Sequence, residues 1–444
     1  MNEKPYRFAF MSKKNILTFL LIVVWGIVWA DTGEVNLTIT VQPYEKDKTS
    51  IMFNGTPITF SVIQHDKTLA RLRTHVYMPP LNVCGERYPY TLTVAHPEFE
   101  TKVFHVPMNQ KELKLYAVLD KPNSVLQFQT MFPTDGTPKS VRFIDNETIA
   151  VTLLSGRGFN VINLRSGECR LISPPEKYAK QEGFVESLLL KHKNELWISQ
   201  MSTDCIHVFS LPSFDYVRSI QCSGNWGKVL AYCQRDNTVY FSNWISNDIS
   251  IVDVEHAIEK KRQSVGAVPR GIVFSDDENF AYFAQFESPD GSYGGKTIKV
   301  RLSDFTVTAK LGKPGAKRHL VKDSERQLLY VSDMSRCIVE VFSMRNDRKV
   351  AEIPVGDNPN TIVLSGDGKR LFVSCRGKNH PTKGYLYKGL VFGRLYIIDT
   401  DTFTVTESIE GGNQPTGLDI SPDGTTLVFS DFLDNTVRVY RIKQ

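Results

Sequence analysis

The sequence predicts an all-β protein: a seven-bladed β-propeller preceded by a small antiparallel β-sandwich domain. Three observations carry this. From about residue 136 the chain cycles through units of four short apolar strands separated by Gly, Pro or charged turns. The residues opening the first strand of each unit are Pro138, Phe184, Gly227, Pro269, Ala316, Pro359 and Pro415, spaced 46, 43, 42, 47, 43 and 56 residues apart. Four antiparallel strands at such a period are the signature of a propeller. The last unit ends after its third strand, Val437–Ile442, while an orphan strand, Ser124-Val-Leu-Gln-Phe-Gln129, precedes the first. Placing that orphan outermost in the seventh blade closes the ring and leaves neither edge unpaired.

The chain opens with Lys13 and Lys14, followed by an uncharged apolar run from Ile16 to Ala30 that ends Val28-Trp29-Ala30. A basic start, a short apolar stretch and small residues at its end read as a secretory signal peptide over residues 1–30. Fifteen helical residues rise only about 22 Å, short of the roughly 30 Å hydrocarbon core. An uncleaved anchor is the competing reading. Starting at Met11 gives a signal of ordinary length. No later stretch is apolar enough to span a membrane, so the expected location is exported, periplasmic or at the cell surface.

Residues 31–120 form the predicted sandwich. Val35-Asn-Leu-Thr-Ile-Thr-Val41, Tyr90-Thr-Leu-Thr-Val94 and Lys102-Val-Phe-His-Val106 alternate apolar and polar side chains between Pro and Gly turns, the pattern of half-buried strands. Lys121-Pro-Asn joins this domain to the propeller at 122–444.

In the propeller, second strands read Glu195-Leu-Trp-Ile-Ser199, Thr238-Val-Tyr-Phe-Ser242, Leu328-Leu-Tyr-Val-Ser332, Arg370-Leu-Phe-Val-Ser374 and Thr426-Leu-Val-Phe-Ser430. Third strands such as Ile249-Ser-Ile-Val-Asp253 and Leu395-Tyr-Ile-Ile-Asp399 follow, and turns such as Ser421-Pro-Asp-Gly424 supply the positive φ that tight hairpins need. Seven cysteines form no C-x-x-C pair or C-x-x-C-H haem site, which argues against cysteine metal centres and c-type haem. Cys205 and Cys222 are the one pairing worth testing, since both fall at one end of the same blade.

The strands resemble the YVTN repeat family, whose unit runs Pro-x-Gly-Ile-Ala, Pro-Asp-Gly, a Tyr-Val strand, then Val-Ile-Asp. The matching segments are Pro269-Arg-Gly-Ile-Val-Phe-Ser275, Pro359-Asn-Thr-Ile-Val-Leu-Ser365 and Pro415-Thr-Gly-Leu-Asp-Ile-Ser-Pro-Asp-Gly424, and the resemblance covers roughly 122–444. It implies a seven-bladed propeller and says little about activity. The stretch from Tyr88 to Val106 resembles PEGA-type and carboxypeptidase-regulatory-like sandwiches, modules that serve adhesion or spacing outside the cytoplasm.

In such a propeller the turn entering each first strand and the loop joining second to third strands share one face. The residues after the turn positions are Lys139, Val185, Lys228, Arg270, Lys317, Asn360 and Thr416; four of the seven are basic. Two expanded loops, Glu287–Lys296 and Arg376–Leu390, fall on that face, the second contributing Arg376, Lys378, His380, Lys383 and Lys388. A ring of cations at a low-dielectric opening attracts anions. The expected ligand-binding set is therefore Lys139, Lys228, Arg270, Lys317, Arg376, Lys378 and Lys383, facing an anionic small molecule or polymer, or an acidic protein. The competing reading is an ordinary solvated basic surface. Tyr385 and Tyr387 suit a protein or sugar contact, or cover the blade's own apolar edge.

The net charge of +5 falls to +2 once residues 1–30, with four basic and one acidic residue, are removed. That balance argues against nucleic acid. The nine histidines lack metal spacing, and no phosphate loop, nucleophile elbow or zincin helix occurs, so neither metal nor cofactor is expected. Asp333, Asp431 and Glu186 lie near the mouth. They leave open an extracytoplasmic enzyme, a lactonase-like hydrolase or a dehydrogenase-associated subunit, as the alternative to binding or scaffolding. Nothing in the sequence reports oligomeric state.

Overall fold

The computed structural model describes residues 34–77, 90–107, 110–287, 292 and 294–443. The N-terminal apolar run and Cys84 lie outside the described residues. The chain divides into two compact units, Met1–Pro122 and Asn123–Gln444.

The first unit is a pair of four-stranded sheets over one core. Alternation does the work: in Tyr90–Ala95, Tyr90, Leu92 and Val94 point inward and Thr91, Thr93 and Ala95 do not. They meet Val35, Leu37, Ile39 and Val41 of the opposite sheet. One pairing departs from the antiparallel expectation. Glu34–Gln42 runs parallel to Glu112–Val118, with Asn36 opposite Glu112. These are the first and last strands of the unit, so the remaining strands together serve as the long crossover that a parallel pair requires.

The second unit is seven four-stranded sheets, a seven-bladed propeller. The inner strands are Pro138–Phe143, Phe184–Leu190, Gly227–Cys233, Pro269–Phe274, Lys317–Asp323, Pro359–Leu364 and Pro415–Ile420. Each touches its two neighbours in a closed cycle, and the strand Leu126–Pro133 lies outermost on the seventh blade, antiparallel to Thr436–Ile442. Glu407 of blade six accepts from Ser124 Oγ at 2.5 Å and Val125 N–H at 2.9 Å, holding the entry to this strand.

Every inner strand opens with the same irregularity. After its first paired residue the register slips, as between Gly227 and Leu230 or Pro269 and Ile272. Such a bulge re-aims the residues it displaces. The serine that ends the second-strand motif stabilises the bulge. Ser199, Ser332 and Ser374 each accept the N–H of a bulged residue (Glu186, His319 and Thr361) at 3.1 Å. The same hydroxyls donate to a carbonyl of the next blade: Lys228 at 2.7 Å, Asn360 at 2.7 Å and Thr416 at 2.9 Å. Thr152 does this between blades one and two, reaching the Val185 carbonyl at 3.0 Å, and Ser430 between seven and one, reaching that of Pro138 at 3.3 Å. The recurring hydroxyl is thus a staple between blades, fixed to the residues that enter the channel.

Close packing at these entries sets Gly227. A Cβ there would lie 1.8 Å from the ring of Phe241, which is fully buried. Gly227→Ala is expected to cost about 1–3 kcal/mol through forced repacking. Urea denaturation checks this; an unchanged midpoint would show that the ring has room.

Candidate functional site

Register decides which side chain of each inner strand reaches the channel mouth. Pro138, Phe184, Gly227, Pro269, Lys317, Pro359 and Pro415 all pair with the last residue of their second strand. The next residue is the first that the bulge displaces: Lys139, Val185, Lys228, Arg270, Arg318, Asn360 and Thr416. Counting from Ala316 in blade five placed the site one residue early, and Lys317 is corrected to Arg318. Lys317 occupies the position held in the other blades by proline, glycine or, in blade two, Phe184, and its Nζ turns into its own blade. There it lies 2.6 Å from both Asp333 Oδ2 and Glu340 Oε2, with all three side chains fully buried.

Lys139, Lys228, Arg270 and Arg318 converge on a cavity of about 280 Å³, joined by Arg376 from the loop after blade six's second strand. Aromatic residues make much of the wall. Lys228 Nζ sits 3.5 Å over the Trp244 ring, and the Arg270 guanidinium lies 4.0 Å from Trp244 and 4.9 Å from Phe286. Arg376 stands 5.2 Å from Tyr385 and 5.6 Å from Phe432, and Lys139 is 4.8 Å from Phe432. Trp226 adopts the left-handed backbone conformation at φ 58°, its N–H held by Asp204 Oδ1 at 2.6 Å. A bulky residue so placed is strained backbone retained at the cavity edge.

These cations are confined. Lys228, Arg270 and Arg376 expose only 6, 7 and 6% of their surface. Lys139 and Arg318 keep some surface toward the cavity but lie deep within the protein. Among the described residues none of the five forms an ion pair. Burial first, then repulsion from Arg318, Arg376 and Arg270, holds the Lys139 ammonium well below its ordinary range. Lys228 is lowered the same way by burial, Arg270, Lys139 and Arg318. Burial pushes Arg318 down to about 10 and Arg376 down to about 9, so both stay charged at neutral pH. Deeper in the channel, burial raises the Glu186 carboxyl against the pull of Arg142, Arg318 and Lys139.

Lys378 and Lys383 do not join the cavity; both are exposed on the Arg376–Leu390 loop, Lys383 lying 5.5 Å over Tyr387. Lys388 is bound to Asp434 at 2.9 Å. Leu386, Tyr387 and Leu390 of that loop are exposed, and the Tyr385 carbonyl accepts from Gln414 Nε2 at 2.5 Å. Of the Glu287–Lys296 loop, Glu287 lines the cavity, while 288–291 and 293 lie outside the described residues.

Two of the three acidic residues considered for catalysis, Asp333 and Asp431, are committed elsewhere. Asp333 binds Lys317, and Asp431 receives Arg438 Nε at 2.5 Å and the Gly412 N–H at 2.7 Å. Neither lines the cavity. His207 is held between Gln200 at 2.9 Å and Ser219 at 2.8 Å, and burial pushes His319 down to about 4. Among the described residues no cluster of three His, Cys, Asp or Glu side chains could hold a metal. The six described cysteines are free, so Cys205 and Cys222 are not bridged; Cys205 Sγ instead contacts Gln221 Oε1 at 3.1 Å.

Sequence reasoning missed Arg318, Trp226, Trp244 and Phe286. The tryptophans had a signal: Trp226 directly precedes the blade-three entry and Trp244 directly follows its second strand, two of only five in the chain.

No protein-family profile matches the chain. It is 38% identical to antigen Lp49 of Leptospira interrogans serogroup Icterohaemorrhagiae serovar copenhageni (strain Fiocruz L1-130) over a 457-residue alignment covering 99% of both proteins. Among solved structures it is similar to a chain of Kuenenia stuttgartiensis hydrazine synthase, with a TM-score of 0.56 and 16% identity over 70% of this chain and 98% of that one. That likeness is one of fold.

Proposed function

Since the chain belongs to the family of antigen Lp49, we propose that it is an exported binding or scaffolding propeller that recognises an anionic ligand or an acidic protein partner through the mouth of its channel. One observation carries the reading: five cations from five blades surround one cavity, and among the described residues no carboxylate pairs with any of them. Buried charges are ordinarily paired, so the missing partner is expected to come from outside the chain. Export rests on the N-terminal apolar run, and a relative named as an antigen accords with a place at the cell surface. Among the described residues no helix is long and apolar enough to cross a membrane.

The test is affinity capture from the native envelope with the mature protein and with a variant carrying Lys139→Ser, Lys228→Ser, Arg270→Ser and Arg318→Ser. A partner retained by the native protein and lost from the folded variant is the expected result. Equal capture by both would overturn the mouth as the recognition site and point to the exposed Tyr387 and Leu390 loop.

A further inference from the structure

Resting on the reading above, we infer that the mouth cavity is a receptor for a compact oxyanion carrying two or more negative charges, a phosphoryl group or a cluster of carboxylates, rather than for a singly charged or flat aromatic ligand. The argument begins with hydrogen-bonding capacity. Arg270 Nε, Arg376 Nε and Asn360 Nδ2 are all buried without a hydrogen-bond partner. All three are donors, and they cluster at the entry positions of blades four and six and the loop beside them. Lysine and arginine side chains can only donate, so the basic part of the lining offers donors and no acceptors. A ligand that completes it must be rich in acceptor oxygens.

Charge count sets the second condition. A monoanion would leave four of the five cations uncompensated in a low-dielectric site. The nearby carboxylates are Glu287 on the wall and Glu186 below, and burial raises the Glu186 pKa toward the neutral acid. At least two ligand charges are needed before most of the cations gain a partner.

Size and the aromatic wall set the rest. About 280 Å³ lies at the small end of ligand pockets and excludes a folded segment. The Trp244 face already lies against Lys228 and Arg270. The ring holds the empty site's cations in place by cation–π attraction and is not free to stack on a flat ligand.

Binding is then coupled to protons. Lys139 and Lys228, depressed by burial and by Arg270, Arg318 and Arg376, with Glu186 the one carboxylate acting the other way, gain an attractive partner when the anion enters. Their pKa values rise, so the complex takes up protons and affinity increases as pH falls through the interval between the empty and occupied values.

The test is calorimetric titration of the full-length protein with acetate, inorganic phosphate, citrate and pyrophosphate, at mildly alkaline pH in two buffers of different ionisation enthalpy. Citrate or pyrophosphate should bind at least about tenfold more tightly than acetate, consistent with one further charge-assisted hydrogen bond. The apparent enthalpy should shift between buffers in the direction of proton uptake. Arg270→Gln with Arg376→Gln should lose about tenfold to a hundredfold in affinity, while Arg270→Lys retains the charge and most of the binding. The preference between citrate and pyrophosphate identifies carboxylate or phosphoryl as the natural group. Acetate binding as tightly as citrate, or failure of all four probes with protein of native circular dichroism, would overturn the inference. If the probes fail but capture is still lost from the serine variant, the proposed function stands and only the small-oxyanion assignment falls. If the probes bind and capture is unaffected, the reverse holds.

Discussion

Lys317→Met is expected to destabilise the propeller by about 3–5 kcal/mol, the usual cost of removing one partner from a buried ion pair. The ammonium sits 2.6 Å from each of two fully buried carboxylates, Asp333 and Glu340. Arg336 also reaches Glu340, at 2.8 Å, but spends its other arm on Glu352 at 3.1 Å. Removing Lys317 therefore leaves Asp333 without a cation and Glu340 with half of its compensation. The neighbouring substitution, Arg318→Met, should not destabilise, because among the described residues Arg318 has no carboxylate partner and its Nε bonds the neutral Asn360 at 2.5 Å. Chemical denaturation of the two variants side by side reads the contrast. Equal losses would mean that the blade-five register, and with it the membership of the mouth, is misassigned.

Removing mouth cations should have the opposite sign. Lys139→Met combined with Lys228→Met is expected to stabilise the unliganded protein by about 1–4 kcal/mol, the range seen when buried ionic groups give way to apolar ones. The pH dependence follows from linkage. Both ammonium groups are held below their ordinary value of 10.5, so between the lowered value and 10.5 the unfolded chain binds more protons than the native one. The penalty is full below the lowered value, declines as pH rises, and is gone above the ordinary value. The gap in unfolding free energy between variant and native protein should thus be widest at pH below the lowered values and narrow steadily as pH rises toward 10.5. A gap that widens with pH would show that the lysines are already paired.

The architecture was legible because the repeat exposes its own physics. Prolines at 138, 269, 359 and 415 begin strands whose first residue needs no ladder donor on its free side, and the serines at 199, 242, 332, 374 and 430 mark second-strand ends. Those serines can be counted from sequence, but their role as staples between blades appears only in three dimensions. The site was half legible. Lys139, Lys228, Arg270 and Arg376 follow from position, whereas the blade-five entry lacks proline and a one-residue shift exchanged Arg318 for Lys317. Lys378 and Lys383 misled because loop composition does not reveal which side chains turn inward. The parallel strand pair of the first unit was hidden because it joins residues about 75 positions apart, beyond any local pattern.

The placement of Leu126–Pro133 beside Thr436–Ile442 has a consequence in time. The outermost strand of the seventh blade is made some 300 residues before its partner, and at about 5–20 residues per second it must wait tens of seconds before the ring can shut. Through that interval Leu126 and Phe128, buried in the finished blade, belong to an open strand edge, the kind of template on which chains associate. The growing chain therefore carries its latch first and receives its catch last, and the vulnerable species is the nearly complete ring.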